Sequence, residues 1–158
     1  MAKAAEIEVI PDGPYAQAAA RIVRVRADEL FAHAEGVLDT DDIERVHDMR
    51  VATRRLRAAL EVFEVCFPKR ELKRALRDVK RLADALGERR DPDVALAAVE
   101  RVANGLAAAD RPGIQSFEDE LRSGQARGNQ TLDLELAAAV DSQLEDRLIT
   151  LAAEARLG

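Results

Sequence analysis

The sequence predicts an all-α protein close to a four-helix bundle, with a further long or kinked helix at its C-terminal end. Three observations carry that expectation. No stretch alternates apolar and polar residues at the strand period of two, whereas every segment repeats its apolar residues at spacings of three and four. Aromatics make up only 3% of the 158 residues and there is no Trp, so a core must be built from Ala, Leu and Val. Such small side chains let helix axes approach closely. Finally, Pro and Gly fall between the periodic segments, where they punctuate helices.

Residues 1–13 are expected to be a flexible N-terminal segment, and 14–158 a single helical domain. The first helix is expected to open at Pro14, a good first-turn residue, and to reach about Val37, with Gly36 weakening its end. "LDTDDIERV" starts the second: Asp41 can cap it, and Glu44, three residues on, completes a capping box. This helix should reach about Cys66, before Pro68, and Pro68 should open the third, ending at Gly87. "GERRDPDV" reads as a loop in which Gly87 takes a left-handed position, Asp91 caps and Pro92 begins a fourth helix running to about Asp110. From Pro112 onward the chain is one long helix or two, with a break at Asp141 or Ser142. Ile114, Phe117, Leu121, Gly124, Gly128 and Leu132 form its apolar seam.

The composition, 47% hydrophobic and 34% charged, is that of a globular chain rather than a disordered one. A single cysteine, Cys66, cannot form an internal disulfide and fits a reducing compartment. No apolar run is long enough for a signal peptide or a membrane span, so the expected location is the cytoplasm.

The net charge of −6 conceals an asymmetry. Residues 45–90 hold 14 of the 24 Lys and Arg but only 7 of the 30 Asp and Glu, leaving +7 there and −13 elsewhere. At about 100° per residue, Arg50, Arg54 and Arg57 share one strip of the second helix with His47. Met49, Ala52, Leu56, Leu60 and Phe63 lie on the opposite, core-facing side. In the third helix Lys69, Arg70, Lys73, Arg74, Arg77, Lys80 and Arg81 occupy one side, and Leu72, Leu76, Val79, Leu82, Ala83 and Leu86 the other.

Like charges stacked at such spacings repel, by a few tenths of a kcal/mol per pair. Glu61, Asp78 and Asp84 relieve that repulsion only in part. The excess points to a multivalent anion, since guanidinium forks match phosphate oxygens and lysines add mobile charge. With almost no aromatics nearby, stacking on bases has no platform, so phosphate without bases fits better than nucleic acid. A metal role for His47 is weak, because His33 is the only other imidazole and no ligand-spaced cluster accompanies it. Nothing marks a cofactor, and no paired carboxylates or activated nucleophile mark catalysis.

"VHDMRVATRRLRAALEVF" (residues 46–63) resembles the signature of CHAD domains, the conserved-histidine α-helical domains. "LADALGERRDPDV" (residues 82–94) resembles their second hallmark, a Leu-Gly, two variable residues and Arg-Asp-x-Asp-Val. The resemblance runs from about Pro14 to the C-terminus. It implies a non-enzymatic module for inorganic polyphosphate, in a family of which some members associate with polyphosphate granules. It also implies ligand contacts from His47, Arg50, Arg54 and Arg57, and from Lys73, Arg77, Lys80 and Arg81 on the next helix. Gly87, Arg90 and Asp91 match the second hallmark, where a structural role is expected.

One departure from the family pattern matters. Its members usually carry two helical halves facing each other across a basic channel, and this chain matches the first half only. No second H-x-x-R segment follows Gly128. Either a partner chain supplies the second half, or the binding surface is open and weaker. A two-fold axis would complete the channel, so a homodimer is expected, with Gly124, Gly128, Leu132, Leu136, Leu144, Leu148 and Leu151 as its contact. Two other classes compete. Histidine phosphotransfer domains are also helix bundles with a basic residue three positions after the histidine, as Arg50 is here; a nucleic-acid-binding module is the other.

Overall fold

A computed structural model describes residues 3–156, and all their regular secondary structure is helical. Five α-helices follow in order: α1 (Tyr15–Ala32), α2 (Ile43–Val62), α3 (Lys69–Ala103), α4 (Arg111–Asp141) and α5 (Leu144–Ala153). Single 3-10 turns at Glu64–Cys66 and Ala108–Asp110 interrupt the second and third connections. α1 packs on α2 and α5, α2 on α3, and α3 along α4. No described helix is long and apolar enough to cross a membrane.

The apolar spacing explains the packing. On α1, Ala19, Val23, Ala27 and Leu30 recur every three or four residues and are buried. They meet Val46, Met49, Ala52, Leu56, Ala59 and Leu60 of α2, and Leu144, Leu148, Leu151 and Ala152 of α5. Pro14 stands at the N-cap position, one residue before the first turn, and the helix stops at Ala32, short of Val37. The chain then reverses through Gly36 at φ +70°, where Arg45 closes over the turn and donates to Glu35 O at 3.2 Å.

The capping box does not form. α2 starts at Ile43, and no side chain caps it; Asp39 instead accepts from Asp41 N–H at 2.9 Å, while Asp42 pairs with Arg45 at 3.0 Å. α2 also ends at Val62, before a turn that delivers Cys66 and Phe67 to the core.

The expected loop at Gly87–Pro92 is absent, because α3 runs unbroken for 35 residues with Pro92 inside it. Gly87 is therefore not left-handed and Asp91 caps nothing. An interior proline removes one N–H, here the donor for Glu88 O, and costs about 3 kcal/mol. Tertiary packing outweighs that local cost. A Cβ at Gly128 of α4 would lie only 2.9 Å from Glu88 O and from Arg89 Cα, so α4 presses its bare backbone onto this stretch of α3. Gly124 sits over the Pro92 ring in the same way, at an ordinary contact of 3.6 Å from a built Cβ.

A buried ion pair holds the same region. Arg89 and Asp93, one turn apart, are both fully enclosed and in direct contact. Asn129 accepts from Arg89 Nε at 2.9 Å and donates to Leu38 O at 2.8 Å, and Gln125 donates to Asp93 Oδ1 at 2.7 Å. α3, α4 and the α1–α2 connection are thus tied through four polar side chains. The expected third and fourth helices are therefore one, which ends at Ala103 rather than at about Asp110, and the break expected at Asp141 or Ser142 is present.

Candidate functional site

α2 and α3 are antiparallel neighbours. Arg90 of α3 donates to Ile43 O at the first residue of α2, at 3.3 Å, and its guanidinium lies 3.8 Å from Glu44. The start of α2 thus sits beside the middle of α3, and the end of α2 beside the α3 N-terminus. His47 and Arg57, ten residues apart, are separated by about 15 Å along the helix axis. The strip therefore runs the length of α2, with Arg54 and Arg57 nearest the basic half of α3 and His47 farthest from it.

The faces fall where the 100° arithmetic put them. Arg50, Arg54 and Arg57 are exposed, while Met49, Ala52, Leu56 and Leu60 are buried; Phe63 is half-buried and stacks on Tyr15, ring centroids 5.0 Å apart. His47 is half-buried at the edge of its strip. On α3, Lys69, Arg70, Lys73, Arg74, Arg77, Lys80 and Arg81 are all exposed. Leu72, Val79, Leu82 and Leu86 are buried behind them, with Leu76 and Ala83 half-buried.

Neutralisation across this surface is uneven. Arg57 is held by Glu61 at 2.8 Å, Arg77 by Asp78 at 3.5 Å, Lys80 by Asp84 at 3.7 Å and Arg81 by Glu135 at 3.0 Å. Arg50, Arg54, Lys69, Arg70, Lys73 and Arg74 have no carboxylate within ion-pair distance among the described residues. Exposed pairs of this kind contribute little to stability, so even the four neutralised cations remain exchangeable for another anion.

The second sequence hallmark has a structural role, but not the one expected of it. Arg90 links α3 to α2, Asp91 is exposed, and Gly87 lies mid-helix with open space where a Cβ would stand. The buried charges are Arg89 and Asp93, which sequence reasoning passed over. Their i, i+4 spacing was the available signal. The contribution of α5 was missed as well: an open groove of about 1060 Å³ separates the α3 N-terminal half from Arg147 and Thr150.

The structure is thus an all-helical fold with exposed basic side chains along two adjacent helices. The chain matches the family model of the CHAD domain over residues 21–157, and it belongs to that family. Among solved structures it is similar to PptA from Streptomyces chartreusis, with a TM-score of 0.72 and 17% identity. The match covers 92% of this chain and 52% of that one, so this chain spans about half the length of its structural neighbour. At that identity the likeness is one of fold. A comparison with curated proteins gives no match.

Proposed function

We propose that this protein binds inorganic polyphosphate, without catalysing a reaction on it, along the basic strips of α2 and α3. The observation that carries the reading is the run of exposed, uncompensated cations on two adjacent helices, together with membership of the CHAD family. Arg50, Arg54 and Arg57 supply forked donors, Lys73, Arg77, Lys80 and Arg81 extend the field along α3, and His47 donates from the edge of the strip. Such a binder acts in the cytoplasm, at polyphosphate granules where these form.

A homodimer that brings a second basic surface opposite the first is part of the proposal, motivated by the half-length match. The contact anticipated from the sequence is not open to it. Leu132, Leu144, Leu148 and Leu151 lie in the chain's own core, Leu136 packs against that core, and Gly124 and Gly128 face α3. The dimer contact falls instead on apolar side chains that remain exposed, such as Val94, Val102 and Phe117.

The test is titration of labelled long-chain polyphosphate at rising salt, with light scattering over a dilution series. By analogy with single-stranded nucleic acid, the log–log slope should be about −0.7 per phosphate neutralised. A flat salt response, or no binding at low salt, rules the function out, and a strictly monomeric species with and without ligand rules out the dimer. Competition with RNA at matched phosphate concentration separates the nucleic-acid reading. Phosphotransfer would need acid-labile labelling of His47 by a kinase, which the proposal expects to be absent.

A further inference from the structure

The groove between α3 and α5 lies outside the strip that surrounds His47. One rim carries Lys69, Arg70, Lys73, Arg74 and Arg77, spread over about 12 Å of helix. The other carries Arg147 and Thr150 of α5. Two carboxylates, Glu71 and Glu154, share the lining, so the six cations dominate it. No aromatic ring borders the groove, and its apolar contribution is limited to Ala75 and Leu151.

Asp78 organises the two rims. Its Oδ2 accepts from Arg147 Nη2 at 2.6 Å, and its Oδ1 from Arg77 Nε at 3.5 Å. Arg147 also donates through Nη1 to Ser142 O at 3.3 Å. The Arg147 guanidinium is thus fixed from two sides, with its side chain only 22% exposed, whereas most surface arginines must lose rotamer freedom to bind. Pre-set forked donors on one wall, facing mobile cations on the other, suit a ligand with closely spaced anionic oxygens.

We infer that this groove is a separate binding site for a short run of linear condensed phosphate, with Asp78 as a positioning residue for Arg147 and Arg77. The inference rests on the polyphosphate reading for its ligand class; the groove shares Lys73 and Arg77 with that surface and adds Lys69, Arg70, Arg74 and Arg147. A long chain engages both the α2 strip and the groove, whereas a tripolyphosphate fills the groove alone. A nucleoside triphosphate offers the same phosphate tail, but the lining gives its base nothing to stack on.

The test uses the whole chain and three probes, inorganic tripolyphosphate, long-chain polyphosphate and ATP, titrated calorimetrically at low salt. Arg70→Glu combined with Arg74→Glu should weaken tripolyphosphate by about tenfold or more, the loss expected for charge-assisted hydrogen bonds. Arg50→Glu with Arg54→Glu should leave tripolyphosphate almost unchanged while weakening the long chain. Asp78→Asn separates positioning from simple charge. It removes a negative charge beside the site, so electrostatics alone predicts tighter tripolyphosphate binding, whereas loss of positioning predicts weaker binding. Tighter binding would overturn the role given to Asp78.

Undiminished tripolyphosphate binding by the Arg70/Arg74 variant, with long-chain binding lost in the Arg50/Arg54 variant, would overturn the groove and spare the general reading. Groove-dependent tripolyphosphate binding without long-chain binding would do the reverse. No binding of either inorganic probe by the unaltered chain defeats both. ATP held more tightly than tripolyphosphate would replace the inorganic chain as the occupant.

Discussion

The two ends of the α3–α4 pair differ sharply in what holds them. At one end, the first half of α3 and the last half of α4 join α1, α2 and α5 around a continuous core that includes Val23, Leu30, Met49, Leu56, Leu82 and Leu132. At the other, residues 97–127 form a helical hairpin in which no residue is buried. Its apolar side chains, such as Val102 and Phe117, stand exposed at 60% and 49%. Two helices packed only on each other bury too little to offset their conformational entropy, so the hairpin draws its order from the end anchored in the bundle. The basic surface lies at the bundle end, where its side chains have a rigid support.

The join between the two regions is where a single change should have the largest effect. Arg89 and Asp93 sit there with Leu96, the last buried residue of α3 before the hairpin. Asp93→Ala leaves a buried guanidinium without its counter-charge and should cost about 3–5 kcal/mol. Arg89 Nη2 and Asp93 Oδ2 already lack hydrogen-bond partners, so replacing both residues by apolar ones of similar volume should cost much less than either change alone. Urea unfolding of the single and double variants checks this; equal losses for Asp93→Ala and the double replacement would mean that the pair is not what joins the regions.

Next in size is a matched pair of truncations, one in each region. Leu56→Ala, in the bundle core, should cost about 2–5 kcal/mol. Phe117→Ala, in the hairpin, should shift stability by less than about 1 kcal/mol. Similar losses would show that the hairpin contributes to the cooperative core after all. Hydrogen exchange gives the same contrast residue by residue, with protection falling beyond Leu96 and recovering at Gly128.

A smaller effect is expected from Gly128→Ala. The new methyl would meet Arg89 Cα and Glu88 O, both backbone atoms that cannot rotate away. The helices must separate, at about 1–3 kcal/mol. Gly124→Ala meets only the Pro92 ring at 3.6 Å and should be neutral or slightly stabilising through its better helix propensity. Thermal melts of the two variants decide it, and equal destabilisation would contradict the close approach at Gly128.

The bundle was far more legible from sequence than the join. The faces of α2 and of the first half of α3 followed from spacing alone, because each carries apolar and basic residues on opposite sides, and the break between α4 and α5 fell where Asp141 and Ser142 suggested. At Gly87–Pro92 every local rule pointed to a loop: a glycine, a capping aspartate and a proline in order. What overrode them is tertiary. Gly128 lies 36 residues beyond Pro92 in sequence, and no reading of the "GERRDPDV" segment contains it. Arg89 and Asp93 were hidden for a related reason, since a charged pair in a charge-rich segment reads as surface until its neighbours are known. The groove was only half legible, because its α3 rim is a dense basic run whereas its α5 rim is a single arginine among carboxylates.

The smallest effect concerns pH, and it should touch one region only. Burial by itself would raise the pKa of the Glu29 carboxyl on α1. Hydrogen bonds from Ala5 N–H, at 2.5 Å, and from Arg26, together with the charges of Arg26 and Arg55, outweigh it and hold the group below its ordinary value of 4.5. A carboxyl whose pKa is lowered on folding contributes stability that is fully present above its unfolded-state value. That contribution is lost as pH falls through the lower folded-state value. Glu29→Gln should therefore be less stable than the unaltered chain at neutral pH, and the gap should close on acidification below about pH 4.5. Because Glu29 ties residues 5 and 26 together at the bundle end, acid should lower the protection factors, taken relative to intrinsic exchange at each pH, at Ala5 and along α1, while leaving unchanged the low protection expected of residues 97–127. Urea midpoints of both proteins from pH 7 down to pH 3 measure the gap, and a gap that widened toward low pH would show that the carboxyl is destabilised by its burial rather than held by Ala5 and Arg26.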